Sequence, residues 1–158
     1  MVPAIGLDSS IVPIDARDPL DPDPNQTLPV WPDNYGSVVN GGNGVYIVGH
    51  SSRYTPGSNE YPDTVFNKLW DRPAQQPRVH VGDLIYVTTA AGQGVCSSVT
   101  FVDVKTKAWI ASSAADSYPA WNPYSNQFVI MTCAQGLRDI PSVNQLVIIS
   151  TIGGSGCA

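Results

Sequence analysis

Short apolar runs, separated by polar segments rich in Gly, Pro, Asn or Ser, make up most of this chain. Runs of this length, with β-branched residues inside them and turn residues between them, are typical of β-strands. The run at 45–49 has an unbroken apolar character, which indicates a strand that is buried on both faces. The pattern predicts strands at 2–7, 11–14, 45–49, 84–89, 99–104, 108–111, 128–132 and 146–151.

One segment has helical spacing instead. At 63–70 the apolar positions share one helical face, and Asp63 or Thr64 can cap the first turn. The segment 15–35 carries five prolines and predicts a long, stiff surface connection. With no internal repeat, about eight short strands and one or two short helices predict an all-β domain, and we favour a closed barrel over a sandwich.

Length and charge narrow the picture further. A chain of 158 residues has the length of one domain, which we place at 1–152, followed by a flexible tail at 153–158. The tail is either a natural loose end or an engineered linker. Eight Lys and Arg against thirteen Asp and Glu give a net charge of −5, which disfavours binding to nucleic acid or to an anionic membrane.

No segment predicts a membrane span or a signal peptide. The apolar runs are far shorter than the roughly 18–20 residues that cross a bilayer. The first residues, Met-Val-Pro-Ala-Ile-Gly-Leu-Asp, have neither a basic region nor a continuous apolar core. We therefore expect that the chain is made without an export signal, or that an export or anchor segment is missing from this sequence.

Soft metal ligands are few. Three cysteines and two histidines, with no CxxC pair and no histidines four residues apart, make a structural zinc site improbable. An odd number of cysteines leaves at least one without a disulfide partner in a monomer, and pairing of Cys96 with Cys157 is one possibility. Cys96 follows a predicted hairpin turn and is interpreted as a structural thiol.

One histidine and one group of acidic and amide residues are interpreted without a catalytic or metal-binding role. His80 alternates with apolar positions at a strand entry, which favours a surface residue over a second catalytic base. A group of four acidic or amide residues lacks the glycine turn of a calcium loop, so a solvated acidic loop is favoured. These four residues are Asp18, Asp21, Asp23 and Asn25. We expect no metal and no cofactor.

Cys133 and His50 are the strongest candidates for chemistry. Each directly follows a buried apolar strand, where a side chain becomes exposed, and the small Gly49 lets a neighbouring group approach the imidazole. A thiol within reach of an imidazole is the minimal pair for acyl transfer. Arg138, five residues after the cysteine, could donate hydrogen bonds to a developing oxyanion, or could simply pair with Asp139.

These residues resemble the sortases, the cysteine transpeptidases of Gram-positive cell surfaces. The resemblance rests on Thr132-Cys133 ending one apolar strand, Gly49-His50 ending an earlier one, and the Gly-Asp strand at 81–87 between them. The opening segments and the short helix after the histidine are also similar, so the likeness covers roughly residues 2–152. A proline-rich stretch after the first strands favours the class E and F catalytic domains.

The resemblance implies a closed barrel of about eight strands and a two-step mechanism. Cys133 would attack the threonine carbonyl of a Leu-Pro-x-Thr-Gly-like sorting signal, and His50 would protonate the leaving amine. An amine of a peptidoglycan precursor or a pilin lysine would then resolve the thioester. A monomer at the outer face of the cell membrane or the cell surface is implied, and Thr132 and Trp121 are assigned to the substrate groove.

The position of the arginine departs from the family pattern. Sortases carry their catalytic arginine at the start of the last strand, where this chain has Asn144 and Gln145. Arg138 comes several residues earlier, so the intervening segment has to turn it back towards Cys133. Arg53, in the loop after the histidine, is the lesser candidate.

Two other readings stay open. The L,D-transpeptidases also use cysteine and histidine, but their cysteine follows a Ser-x-Gly pattern that Met131-Thr132-Cys133 does not match. A catalytically weak or inactive β-barrel that serves as a binding or structural module is the alternative from another class. The displaced arginine and the missing export signal favour that module, whereas an activated thiol favours the enzyme.

Overall fold

The computed structural model describes residues 1–14, 30–32, 45–51, 64–88, 94–115, 117–118, 127–134 and 145–157. These ranges contain one four-residue α-helix, α1 (Lys107–Ile110), and 3₁₀ helices at Pro3–Ile5, Val65–Leu69 and Ser113–Ala115. Their strands are β1 (Val12–Ile14), β2 (Val30–Pro32), β3 (Val45–Val48), β4 (Trp70–Asp71), β5 (Gln76–Pro77), β6 (Leu84–Thr88), β7 (Gly94–Ser98), β8 (Phe101–Thr106), β9 (Phe128–Cys133) and β10 (Gln145–Ser150). The predicted all-β class with short helices is confirmed.

Six of the described strands form one sheet, in the order β1-β2-β3-β9-β10-β8. The pairs β1–β2 and β3–β9 are parallel, and the other pairs in this sheet are antiparallel. The remaining described strands form two hairpin-like pairs, β4–β5 and β6–β7. Strands β3 and β9 therefore lie in the middle of the sheet, where apolar runs are expected because neighbours cover both faces.

The two faces of this sheet belong to different apolar clusters. Ile47 and Ile130 point into the larger one, which also includes Leu69 and Ile85 from outside the sheet. Val48 and Met131 point into a smaller one, covered in part by Ile110, Phe101, Tyr46 and Tyr118. The prediction that the strand at 45–49 is buried on both faces is thus confirmed for Ile47 and Val48.

Four local predictions were wrong. The segment predicted as a strand at 2–7 is a 3₁₀ helix, because Pro3 begins the turn and Gly6 ends it at φ 61°. The strand predicted at 108–111 is α1, which Thr106 caps by accepting a hydrogen bond from the Trp109 amide at 3.1 Å. The hairpin turn predicted before Cys96 includes Gly94 and Val95, the first two residues of β7, and β2 lies in the predicted connection because two apolar residues between prolines carry no strand pattern.

The C-terminal residues pair with β7. Gly156 forms a β-bridge with Ser97, and the Ser98 amide donates to the Ser155 carbonyl at 3.1 Å. Cys96 and Cys157 form a disulfide, the pairing that the sequence left open. Residues 155–157 therefore add a short extra segment to the edge of the β6–β7 pair. Within the described residues, no helix has the length and apolar character needed to cross a membrane.

A polar cluster attaches the segment after α1 to β8. The Tyr118 hydroxyl donates to Asp103 Oδ2 at 2.6 Å, and Lys105 Nζ lies 3.2 Å from the same oxygen. The Trp109 ring meets the Tyr118 ring edge to face at 5.3 Å. Burial, the hydrogen bond to Asp103 and the charge of Asp103 together raise the pKa of Tyr118 well above its ordinary value.

This raised pKa predicts a loss of stability at alkaline pH. Folding favours the protonated phenol, so the contribution of Tyr118 is complete below about pH 10, the ordinary tyrosine pKa, and decreases as the pH rises further. We expect the unfolding free energy to fall less steeply above pH 10 in Tyr118→Phe than in the parent. Urea titrations at several alkaline pH values measure both slopes, and equal slopes would contradict the assignment.

Candidate active site

Cys133 is the last residue of β9, and its side chain is half-buried. Strand β3 lies on one side of β9 and β10 on the other, where Cys133 is paired with Leu146. The disulfide uses the other two cysteines, so Cys133 stays a thiol. A partly exposed thiol at the end of a central strand is accessible to a substrate while its backbone is held from both sides.

His50 follows β3, which runs parallel to β9. The last paired residues are Val48 and Met131, and the Gly49 amide extends the pairing by donating to the Met131 carbonyl at 3.2 Å. His50 lies two residues beyond Val48, and Cys133 lies two residues beyond Met131. Since side chains alternate between the faces of a strand, both continue the face of the smaller cluster. Neighbouring strands are about 4.8 Å apart, so this register brings residues 50 and 133 to adjacent backbone positions.

Gly49 allows the 3₁₀ helix Val65–Leu69 to pack directly behind His50. A Cβ atom at residue 49 would lie 2.6 Å from Cδ2 and 2.8 Å from Cε2 of Phe66. Phe66 is 3% exposed and belongs to the larger cluster, so its ring has little room to move. The glycine expected to let a group approach the imidazole is thus in contact with an aromatic ring.

Two hydroxyl groups hold the backbone on both sides of this pair. Ser51 Oγ donates to the Cys133 carbonyl at 2.6 Å, and Thr64 Oγ1 donates to the His50 carbonyl at 2.5 Å. Thr64 is 8% exposed and precedes the 3₁₀ helix, and its hydroxyl accepts no hydrogen bond from the first amides of that helix. Ser51 was not among the predicted site residues, and Thr64 was predicted only as an alternative to Asp63 for the helix cap; the adjacency of Ser51 to His50 was the available signal.

Thr132, which the resemblance assigned to the substrate groove, faces the protein interior. It is 2% exposed, and its hydroxyl has no hydrogen-bond partner within the part of the chain that the structure describes. A substrate lying beside Cys133 could therefore meet the backbone of Thr132 but not its side chain.

A valine at position 132 is expected to keep or raise the stability of the protein. A buried hydroxyl without a partner costs about 1–3 kcal/mol, and valine has nearly the same shape without the hydroxyl. We expect Thr132→Val to raise the unfolding free energy by roughly 1 kcal/mol. Chemical denaturation measures this change, with Ser150→Ala as the contrasting variant because the Ser150 hydroxyl accepts a hydrogen bond from the Ile152 amide. A destabilised Thr132→Val would show that the hydroxyl has a partner in the protein.

The other predicted site residues lie outside the described residues: Arg138, Trp121 and Arg53. Gln145, at the place where sortases carry arginine, is exposed and begins β10, and its carbonyl accepts from the Ala134 amide at 3.0 Å. Leu146, the partner of Cys133, is paired on its other side with Lys105. Lys105, which is a described basic residue, thus lies two strands away from Cys133 on the same face of the sheet.

The arrangement suits acyl transfer through a thiol. An imidazole next to the thiol can accept its proton and return it to a leaving amine, which is the role of a general acid–base catalyst. No three His, Cys, Asp or Glu side chains of the described ranges come together as a set of metal ligands. The register of β3 and β9 places a histidine and a cysteine after the ends of two neighbouring strands.

Solved sortase structures match this chain along its length. Sortase A from Corynebacterium diphtheriae, as a lid mutant, matches with a TM-score of 0.60 and 18% identity over 99% of this chain and 68% of its own. The Clostridium perfringens sortase D5 transpeptidase matches with a TM-score of 0.58 and 17% identity, over 100% of this chain and 76% of its own. The chain has the sortase fold.

The sortase fold here is supported by structure rather than by sequence similarity. Streptococcus agalactiae sortase C1 matches with a TM-score of 0.57 and 15% identity over 100% of this chain, which spans 65% of the length of that protein. No model of a known protein family matches the sequence, and no curated protein matches it. The three structures are class A, C and D enzymes, so the likeness to classes E and F stays a prediction from sequence.

Proposed function

We propose that this protein is a sortase-type cysteine transpeptidase with Cys133 as nucleophile and His50 as general acid and base. The observation that carries the proposal is the register of β3 and β9, which are adjacent parallel strands. Cys133 is the last residue of β9, and His50 comes shortly after the end of β3. Among the sortase-fold proteins that match this chain is a transpeptidase.

The first half-reaction forms a thioester. The Cys133 thiolate attacks the threonine carbonyl carbon of a Leu-Pro-x-Thr-Gly-like signal, and the tetrahedral intermediate collapses with cleavage of the Thr–Gly amide bond. The His50 imidazolium gives its proton to the departing glycine amine. The products are a thioester on Cys133, a neutral imidazole and a free glycine amine.

The second half-reaction releases the product. A primary amine of a cell-wall precursor or a pilin attacks the thioester carbonyl, His50 accepts the proton of that amine, and Cys133 leaves as the thiolate. A new amide bond replaces the thioester, and the enzyme returns to its starting protonation. Water can take the place of the amine, so slow hydrolysis is an expected side reaction.

The remaining assignments belong to this proposal. Arg138 donates hydrogen bonds to the oxyanion or to the backbone of the signal, and Trp121 walls the groove. Thr132 contributes through its backbone. The enzyme works as a monomer at the outer face of the membrane or the cell surface, on proteins that carry the sorting signal. The alternative is a sortase-like barrel that binds without turnover.

Intact mass spectrometry tests the proposal. The protein and its Cys133→Ala variant are incubated with a panel of Leu-Pro-x-Thr-Gly peptides and then with triglycine. We expect an acyl adduct on the parent alone, followed by a triglycine-linked product. Loss of that product in Arg138→Ala would support the arginine assignment, and full transfer in that variant would remove it. No adduct with any peptide, together with a Cys133 that is alkylated no faster than a simple thiol, would favour the binding module.

A further inference from the structure

The two hydroxyl contacts next to the catalytic pair have a feature that ordinary loop hydrogen bonds lack. The Gly49 amide donates to the Met131 carbonyl. Ser51 lies two residues after Gly49, and Cys133 lies two residues after Met131. In a parallel ladder the acceptors recur at every second residue, so the Cys133 carbonyl is the next acceptor in this series. The Ser51 hydroxyl occupies that acceptor at 2.6 Å.

The Ser51 bond therefore continues the β3–β9 pairing past the point where the strand β3 ends. It joins the residue after His50 to Cys133 itself, across 82 positions of sequence. Because the bond ties the side chain of the residue after His50 to the Cys133 carbonyl, a change in its length changes the separation of the two backbones that carry the imidazole and the thiol.

Thr64 makes the corresponding contact on the histidine side. Its hydroxyl donates to the His50 carbonyl at 2.5 Å and lies 3.2 Å from Asn67 Oδ1. A threonine at this place before a helix ordinarily turns its hydroxyl to the helix's own first amides. Here the buried hydroxyl is used across 14 residues of sequence to hold His50 against the 3₁₀ helix Val65–Leu69.

We infer that Ser51 and Thr64 are positioning residues, whose hydroxyls hold the backbones of Cys133 and His50 so that thiol and imidazole stay in register. The inference rests on the proposed function, because it concerns the same pair. Neither hydroxyl takes part in bond making. Misplacement of reacting groups by about 1 Å can cost roughly 100-fold in rate, so losing either contact should lower kcat more than it raises KM.

Removal of each hydroxyl, with a conservative variant beside it, tests this role. We expect Ser51→Ala to lower kcat by roughly 10- to 100-fold with KM changed less than twofold, and Ser51→Thr to retain most of the activity. Thr64→Val and Thr64→Ser form the second pair, with the same expectation, and serve if Ser51→Ala does not fold. Thr100→Val is the matched control, because the Thr100 hydroxyl donates to the Ile152 carbonyl at 2.6 Å at the opposite end of the sheet.

A second readout needs no substrate. In the oxidised protein the disulfide protects Cys96 and Cys157, so the rate of iodoacetamide alkylation at Cys133 can be measured against pH. We expect the midpoint of this profile in Ser51→Ala and Thr64→Val to move from the parent value towards that of His50→Ala. Thr100→Val should keep the parent midpoint, since a general loss of stability does not separate the pair.

The outcomes separate the two proposals. If His50→Ala has the parent alkylation profile, the thiol and the imidazole do not interact, and the proposed catalytic pair is overturned. If His50→Ala shifts the profile but Ser51→Ala and Thr64→Val do not, the positioning role is overturned while the pair stands. A shift in Thr100→Val equal to that in Ser51→Ala would also overturn the positioning role, because it would reflect stability alone.

Discussion

Transfer of a sorting peptide to triglycine is expected to fall by about 10²–10⁴-fold when His50 is replaced by alanine. The imidazole both protonates the leaving amine and deprotonates the incoming one, so its loss slows both half-reactions. Single-turnover mass spectrometry follows acyl-enzyme formation and release separately. Both steps should slow in His50→Ala.

His80 provides the control for this prediction, since the chain contains two histidines. The His80 side chain is 76% exposed, and its Nδ1 atom lies 3.9 Å from Asp83 on the surface. His80→Ala should transfer at the parent rate. An equal loss of transfer rate in the two variants, or a larger loss in His80→Ala, would show that His50 is not the catalytic histidine that the register of β3 and β9 indicates.

The largest loss of stability is expected from Gly49→Ala. The new methyl group would overlap the Phe66 ring, and the ring is packed in the larger cluster, so either the 3₁₀ helix or the end of β3 must move. Overpacking of this kind costs about 1–3 kcal/mol. For a domain of this size that corresponds to a fall in Tm of roughly 2–12 °C, which differential scanning calorimetry detects.

Two further variants show whether the ring is the cause. Gly156→Ala is the control, because a Cβ there would meet the Cys96 carbonyl oxygen at an ordinary 3.7 Å. In a Phe66→Leu background the cost of Gly49→Ala should be smaller, since the smaller side chain vacates part of the overlap and neighbouring changes are not additive. The same cost in both backgrounds would place the clash elsewhere.

The sequence predicted the central strands well because their apolar runs are long and continuous. Strands β3, β9 and β10 were placed within one or two residues of their ends, since burial on both faces leaves few polar positions. Strand β2 and helix α1 were missed or misassigned because each is at most four residues long. At that length neither the period of a strand nor that of a helix is visible.

The candidate site was predictable in part for the same reason. Cys133 and His50 were found as residues that directly follow apolar runs, which is local information. That their strands are parallel neighbours is a long-range fact that no local pattern contains. The contacts of Ser51 and Thr64 follow from that pairing and from the placement of the 3₁₀ helix, so the adjacency of Ser51 to His50 was the one sign of them in the sequence.

The Cys96–Cys157 disulfide closes a covalent ring that contains β8, β9 and β10, three of the six strands of the main sheet. In the chain-entropy view, closing a loop of 61 residues lowers the entropy of the unfolded chain and so raises the free energy of unfolding by about 4 kcal/mol. The ring has a second effect. A protease that cuts the backbone once anywhere between the two half-cystines leaves both pieces in one molecule, with the sheet still able to hold them together. Cys133 and the strand β10 beside it thus stay attached to the rest of the protein after a single cut, and reduction is needed before the pieces separate.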